Sequence, residues 1–335
     1  MTTMSLMNLK QVLDGPPSVP TTTRRAPSPS VTATLVADLH CELGECILYD
    51  YIKDTILFTD ILGKKFHRLH LSPASMDTFQ LPKMLAAFAL LPQEQDGYLC
   101  AWEDGFQIYD IEHGKAISEM SQGEKVNPYN LPTRLNDGRC DRPGRRFICG
   151  GYYGDVSGNK MKVYKCEYQT DGDQLTHQPI VDEIEITNSI CFSLDGNTMY
   201  LADSSTQQIH SYSYDTATGS LSNKTLLHAN PSMADPDGSC IDAQGYLWNA
   251  VWRGGDGPSF VQRIDPMSGD VVFVVHMPDT TSQVSCCCFG GKDLNVLFIT
   301  TAAVSRDATV EPNAGGLYAV KLDFIGLKED RFRGR

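Results

Sequence analysis

Asp235-Pro236-Asp237-Gly238-Ser239-Cys240-Ile241-Asp242-Ala243-Gln244-Gly245-Tyr246-Leu247-Trp248 is the stretch whose reading decides the fold. It opens on an acidic residue at the mouth of an apolar strand, breaks at Asp242-Ala243-Gln244-Gly245 as a tight turn does, and resumes in Tyr246-Leu247-Trp248. That is one β-hairpin. Variants recur at Leu43–Asp50 with Thr55–Phe58, Ala86–Leu91 with Gly97–Cys100, Arg134–Gly138 with Phe147–Cys149, Thr187–Phe192 with Met199–Leu201, and Gln283–Phe289 with Val296–Ile299. Taking Glu45, Ala87, Asn136, Asn188, Asp237 and Ser285 as the equivalent positions, the successive spacings are 42, 49, 52, 49 and 48 residues.

A repeat of that length, built from short strands and turns, signals a β-propeller, because one small sheet cannot bury both faces without stacking on its neighbours around an axis. Six copies predict six four-stranded antiparallel blades around a central channel. Asp-Gly occurs at 96, 104, 137, 171, 195, 237 and 256 and reads as hairpin-turn chemistry at each place, since both residues tolerate positive φ. No window of twelve or more residues carries a 3.6 period, so the reading is all β. Thr34–His40 has no hairpin partner nearby and is expected to complete the last blade beside Gly316–Val320. The longer connections, 118–132 and 253–259, are expected to shape one end of the channel.

Residues 31–335 thus form one expected domain. Residues 1–30, rich in Pro, Ser and Thr and without the apolar core of a secretory signal, are expected to be a disordered leader. Their single acid, Asp14, and the pair Arg24-Arg25 also fit an organellar transit peptide, the lesser expectation beside a cytoplasmic protein. A net charge of -13 and a pI near 5.0, with no basic stripe, argue against nucleic acid as a partner. No apolar run approaches the roughly 18–20 residues that span a bilayer, so no membrane role is expected. The eleven cysteines sit mostly inside apolar strand runs and make no Cys-x-x-Cys pair, which favours a reducing compartment and excludes a zinc ribbon. His67 and His70, three apart on a strand, point to opposite faces and read as surface or edge residues rather than a chelating pair.

In a propeller the inner strands line the axis, so the equivalent residues at their entrances face one another. Glu45, Asn136, Asn188 and Asp237 are oxygen donors in a ring completed by Ala87 and Ser285, a set that suits a hard divalent cation such as Ca²⁺ better than a soft metal. Asx beside Gly or Ser is also ordinary turn usage, and recurrence in register is what separates the two readings. Gly-x-Ser-x-Gly, Gly-x-Gly-x-x-Gly and His-Glu-x-x-His are all missing, which removes the common sequence warrants for a serine hydrolase, a dinucleotide enzyme and a zincin.

At Leu43-Gly44-Glu45, Pro132-Thr133-Arg134-Leu135-Asn136-Asp137-Gly138, Asn188-Ser189 with Ser193–Gly196, Pro236-Asp237-Gly238 with Ile241-Asp242-Ala243, and Phe289-Gly290-Gly291, the chain resembles the senescence marker protein/gluconolactonase, or regucalcin-like, family of six-bladed propeller lactonases. The resemblance implies that Glu45, Asn188 and Asp237 ligate one divalent metal (Ca²⁺, Zn²⁺, Mn²⁺ or Mg²⁺), with Asn136 as a further ligand or a contact to substrate. It implies that Arg134 and Asp155 bind substrate and that Asp237 is the catalytic base for hydrolysis of a small-molecule sugar lactone by a monomer or weak dimer. Its alternatives are a calcium-binding regulatory propeller without turnover and a phosphotriesterase or esterase using the same metal. Leu135, Cys46 and Gly151-Tyr152-Tyr153-Gly154 depart from the family pattern around the pocket and bear on the substrate.

Overall fold

The structure is a computed structural model, and it describes all residues except 1–5, 7, 24–25, 127–132, 154–159, 170–171, 173, 232, 254–258, 279 and 335. Six sheets form the molecule. From the axis outward, the first blade is Gly44–Asp50, Thr55–Asp60, Lys65–Leu71 and Ala74–Gln80; the second is Leu85–Leu90, Tyr98–Trp102, Gly105–Asp110 and the two-residue strand Lys115–Ala116. The third is Thr133–Cys140, Phe147–Tyr153, Met161–Tyr168 and Leu175–Ile184; the fourth is Thr187–Phe192, Thr198–Asp203, Gln208–Tyr214 and Leu221–Ala229. The fifth begins Asp235–Ile241, Leu247–Trp252, Phe260–Ile264 and Val271–His276. The sixth is Val284–Gly290, Val296–Thr301, Leu317–Lys321 and Thr34–Ala37. Each inner strand packs on the inner strands of its two neighbours, so the ring is closed.

The opening stretch is the hairpin its residues predict. Asp242 ends the inner strand of the fifth blade, and its Oδ1 accepts from the backbone N–H groups of Gln244 (2.9 Å) and Tyr246 (3.0 Å). Gly245, at φ +88°, makes the reversal that only glycine adopts freely. Asp242 Oδ2 then takes the Trp248 indole N–H at 2.9 Å and the Arg263 guanidinium at 2.7 Å, which locks the turn to the fully buried Trp248. Asp141 does the same for the third blade, accepting from Arg145 N–H (2.8 Å), Arg146 N–H (3.0 Å) and the Tyr214 hydroxyl (2.9 Å).

The core lies between blades. Leu48, Phe66, Phe88, Trp102, Phe106 and Phe147 run through the first, second and third blades as one cluster. Trp248, Phe289 and Phe273 close the fifth on the sixth, with the Trp248 and Phe289 rings edge to face at 5.3 Å. All eleven cysteines are free and buried.

Thr34–Ala37 pairs antiparallel with Leu317–Lys321, as expected, so both ends of the chain build the sixth blade. The segment expected to be a disordered leader carries ordered elements. Leu9–Asp14 is a short helix whose Leu9 is buried against the sixth and first blades. Thr21–Thr23 and Ala26–Thr32 extend the fifth blade to six strands, Ser30–Thr32 running parallel to Val274–His276. The physical reason is that an apolar residue and an open blade edge supply burial and backbone partners that composition alone does not reveal.

The Asp-Gly reading needs correction at two steps. Asp96-Gly97, Asp104-Gly105 and Asp195-Gly196 lie in turns or connections, but Asp137-Gly138 and Asp237-Gly238 lie inside inner strands. A side chain at Gly238 would put its Cβ 2.3 Å from the Cys286 sulfur on the next inner strand, so this glycine is there for close approach, not for a reversal. The steps at 171 and 256 fall outside the described residues.

At one end of the axis the C-terminal segment crosses the blades. Arg139, on the third inner strand, pairs with Glu329 at 2.6 Å, Arg142 pairs with Asp330 at 2.8 Å, and Phe332 is buried.

Candidate active site in the channel

All six inner strands change register at the same level. The shifts fall between Glu45 and Leu48, Leu85 and Ala87, Leu135 and Gly138, Asn188 and Cys191, Pro236 and Ser239, and Val284 and Cys286. A bulge breaks the pleat and re-aims a side chain, and here the six breaks coincide with the predicted ring. In two of them the residue after the donor takes a positive φ, Cys46 at 46° and Ser189 at 60°, a conformation costly for these residues.

Glu45, Arg134, Asn136, Asn188 and Asp237 are all buried. The Asn136 side-chain amide donates to Asn188 Oδ1 at 3.0 Å and to the Thr187 carbonyl at 2.8 Å. Arg134 donates to Asn136 Oδ1 and stands 4.6 Å over the Tyr152 ring. The Asn188 amide donates to Ser204 Oγ at 2.8 Å, and Ser204 in turn donates to the Pro236 carbonyl at 2.6 Å, beside Asp237. Four residues of the predicted site on three blades are thus joined through hydrogen bonds or a one-residue step. Among the described residues Glu45 accepts only from the N–H of Cys46, at 3.4 Å, and it enters the site through charge.

The other two ring positions hold no ligand. Ala87 has no polar atom, and Ser285 spends its hydroxyl on the Gly44 carbonyl and on Thr300 Oγ1. Asp155 lies outside the described residues, as do 127–132 and 254–258 of the two long connections.

The electrostatics are those of an acid cluster out of water. Burial pushes the Glu45 carboxyl up to about 8, helped by Asp137 and opposed by Arg134. Asp237 is pushed well above the usual carboxylate range, first by burial, then by Glu45 and Asp137. Burial also pulls the Arg134 guanidinium down, against the attraction of Glu45. Asp237 Oδ1 is buried and has no hydrogen-bond partner among the described residues. A cluster of oxygen donors with one orphaned carboxylate oxygen fits a hard divalent cation, which would supply the missing partner and the missing positive charge.

Two participants went unread in the sequence. Asp137 was taken for a turn residue, yet its carboxylate receives the Ile190 N–H at 2.8 Å and the Gly138 N–H at 2.9 Å, tying the third inner strand to the fourth. Ser204 follows Asp203 on a 3₁₀ turn (Ser204–Thr206) and gave no motif. His67 also differs from the reading: it is buried, with Nε2 3.6 Å from the Cys41 sulfur, while His70 is half-exposed and pairs with Asp77 at 3.0 Å. Alternation does separate their faces, but the first blade is covered on the face that His67 takes.

A closed ring of six antiparallel blades, with buried acids and amides on its inner strands, defines a six-bladed β-propeller. The chain belongs to the SMP-30/Gluconolactonase/LRE-like family, whose profile matches residues 43–303. It is similar to regucalcin of Danio rerio, 30% identical over 291 residues covering 86% of this chain and 92% of that protein. It is also similar to L-arabinolactonase of Azospirillum brasilense, 31% identical over 310 residues, with 91% and 97% covered. The crystal structure of a calcium-binding regucalcin from Agrobacterium tumefaciens superposes with a TM-score of 0.78 at 25% identity, covering 91% of this chain and 98% of that one.

Proposed function

We propose that the protein hydrolyses a sugar lactone to its hydroxy acid, using one divalent cation held by Glu45, Asn188 and Asp237 with Asn136 beside them. The observation that carries this reading is Asp237 Oδ1, a carboxylate oxygen buried without a partner among the described residues, beside a second buried carboxylate, Glu45. When bound, the cation supplies Lewis-acid polarisation of a carbonyl and a lowered pKa for water. Asp237 orients the attacking water and takes its proton. Arg134, held by Asn136 and stacked on Tyr152, presents its remaining N–H groups to the hydroxyls or ring oxygen of the sugar. Asn188 is kept in place by Asn136 on one side and Ser204 on the other, so its amide is oriented before substrate arrives. Similarity to L-arabinolactonase supports the substrate class. The acidic surface and eleven reduced thiols support a cytoplasmic monomer or weak dimer.

The test is a panel of aldonolactones assayed on the full chain with Ca²⁺, Zn²⁺, Mn²⁺ or Mg²⁺, beside Asp237→Asn. Metal-dependent ring opening by the wild type and its loss in the variant are expected. Tight Ca²⁺ binding with no turnover of any lactone would replace this reading by a calcium-binding propeller, and turnover of phosphotriesters or simple esters alone would replace it by an esterase.

A further inference from the structure

Away from the channel, the first blade gathers Cys41, Asp60 and His67, each buried, with one ligand atom from each lying within 4.8 Å of the others. We propose that these three side chains bind a second divalent ion of a different class, Zn²⁺, which clasps the closing blade to the first one. The donors are a thiolate, an imidazole and a carboxylate, the mixed set that selects zinc, in contrast to the oxygen-only channel.

Three observations support the site independently of its composition. The Cys41 sulfur and His67 Nε2 are 3.6 Å apart; two ligands of a tetrahedral zinc, at about 2.3 and about 2.05 Å from the ion, are separated by about 3.6 Å. His67 Nδ1 is engaged by Thr78 Oγ1 at 3.0 Å, and its ring stacks on Phe58 at 4.8 Å, which fixes the ring with Nε2 toward the sulfur. Asp60 is 1% exposed; its Oδ1 accepts from Leu43 N–H (2.9 Å) and Gly63 N–H (3.0 Å), while Oδ2 has no partner among the described residues. A buried carboxylate oxygen left without a hydrogen bond is costly unless an ion answers it.

A nucleophilic role for the same cysteine fits poorly. Cys41 is 1% exposed, so no substrate reaches it, and the His67 nitrogen that an orienting acid would hold is taken by Thr78.

The site sits where the ring closes. Cys41 lies between Thr34–Ala37 of the sixth blade and Gly44–Asp50 of the first; its N–H donates to the Gly315 carbonyl at 2.9 Å and its carbonyl accepts from Ala303 N–H at 3.1 Å. Asp60 and His67 belong to the second and third strands of the first blade. An ion on these three side chains ties the connection at Cys41 to the second and third strands of the first blade, and binding displaces the Cys41 thiol proton to solvent.

The test uses the full chain, stripped with a chelator and titrated with Co²⁺ in excess Ca²⁺, which occupies oxygen-only sites. One equivalent of cobalt with an intense thiolate-to-metal charge-transfer band is expected, displaced by Zn²⁺, kept in Asp237→Asn and lost in Cys41→Ser. In the same excess of Ca²⁺, saturating Zn²⁺ should raise the melting temperature of the wild type by about 5 °C and leave that of Cys41→Ser unmoved. No charge-transfer band in the wild type overturns the proposal, and so does a band of full intensity in Cys41→Ser. Should Cys41→Ser fail to fold, the wild-type cobalt spectrum decides the matter alone, and His67→Gln is the second variant.

Discussion

The side-chain amide of Asn136 donates to Asn188 Oδ1 across 3.0 Å, linking the inner strands of the third and fourth blades at the level of the channel site. One amide therefore serves two purposes, holding the neighbouring donor and the Thr187 carbonyl, and presenting its own oxygen to Arg134. Asn136→Ala leaves buried acceptors unanswered, which costs about 1–3 kcal/mol of unfolding free energy. Denaturant unfolding of the variant should show that loss together with a fall in lactone turnover of about ten-fold or more; unchanged turnover would remove Asn136 from the site.

The two channel acids make a prediction about pH. Glu45 and Asp237 carry folded-state pKa values raised above those of an unfolded chain, Glu45 to about 8. Between the ordinary carboxylate range and that value the folded state binds more protons than the unfolded one, so the metal-free protein loses stability as pH rises through this window. Melting temperatures of chelated protein should fall from pH 5 to pH 8.5, Glu45→Gln should flatten the profile, and saturating Ca²⁺ should do so in the wild type. A flat wild-type profile without metal would contradict the coupling.

Arg134→Lys keeps the charge but loses the flat guanidinium that stacks on Tyr152 and forks between acceptors. A loss of about 1–2 kcal/mol of substrate binding is expected, read as a KM raised roughly five- to thirty-fold with kcat much less affected. A variant with unchanged KM and depressed kcat would assign Arg134 to the chemical step instead.

Ser204→Ala tests the support behind Asn188. The hydroxyl joins the Asn188 amide to the Pro236 carbonyl. Its removal should weaken cation affinity by about ten-fold and, because the buried Asn188 amide and Pro236 carbonyl lose their partner, lower the unfolding free energy by about 1–3 kcal/mol while far-ultraviolet circular dichroism stays that of the wild type. Calorimetric titration with Ca²⁺ or Mn²⁺ measures this directly, and undiminished affinity would make Ser204 a packing residue only.

The blade count was legible because strand entrances recur every 42–52 residues, and the closing strand because Thr34–His40 has no hairpin partner of its own. Roles set by long-range contacts were not. Asp137-Gly138 looks like the turn at Asp195-Gly196, and only the neighbouring strand, which offers the Ile190 N–H, distinguishes them. Composition likewise gave 1–30 no structure, because Leu9 gains its burial from the sixth and first blades and Ala26–Thr32 its partners from the edge of the fifth. His67 was assigned to the surface because alternation says which residues share a face and not which face is covered.

Thr34–Ala37 precedes the first five blades in the chain, and its partner Leu317–Lys321 follows them. A nascent chain therefore carries a strand with an open edge through the production of five blades, and the toroid locks only when 317–321 emerges. Proteolysis before residue 317 leaves the sixth blade with Val284–Gly290 and Val296–Thr301 but Thr34–Ala37 without its partner, whereas a permuted gene that places residues 34–37 shortly after 321 would let that sheet form from contiguous sequence.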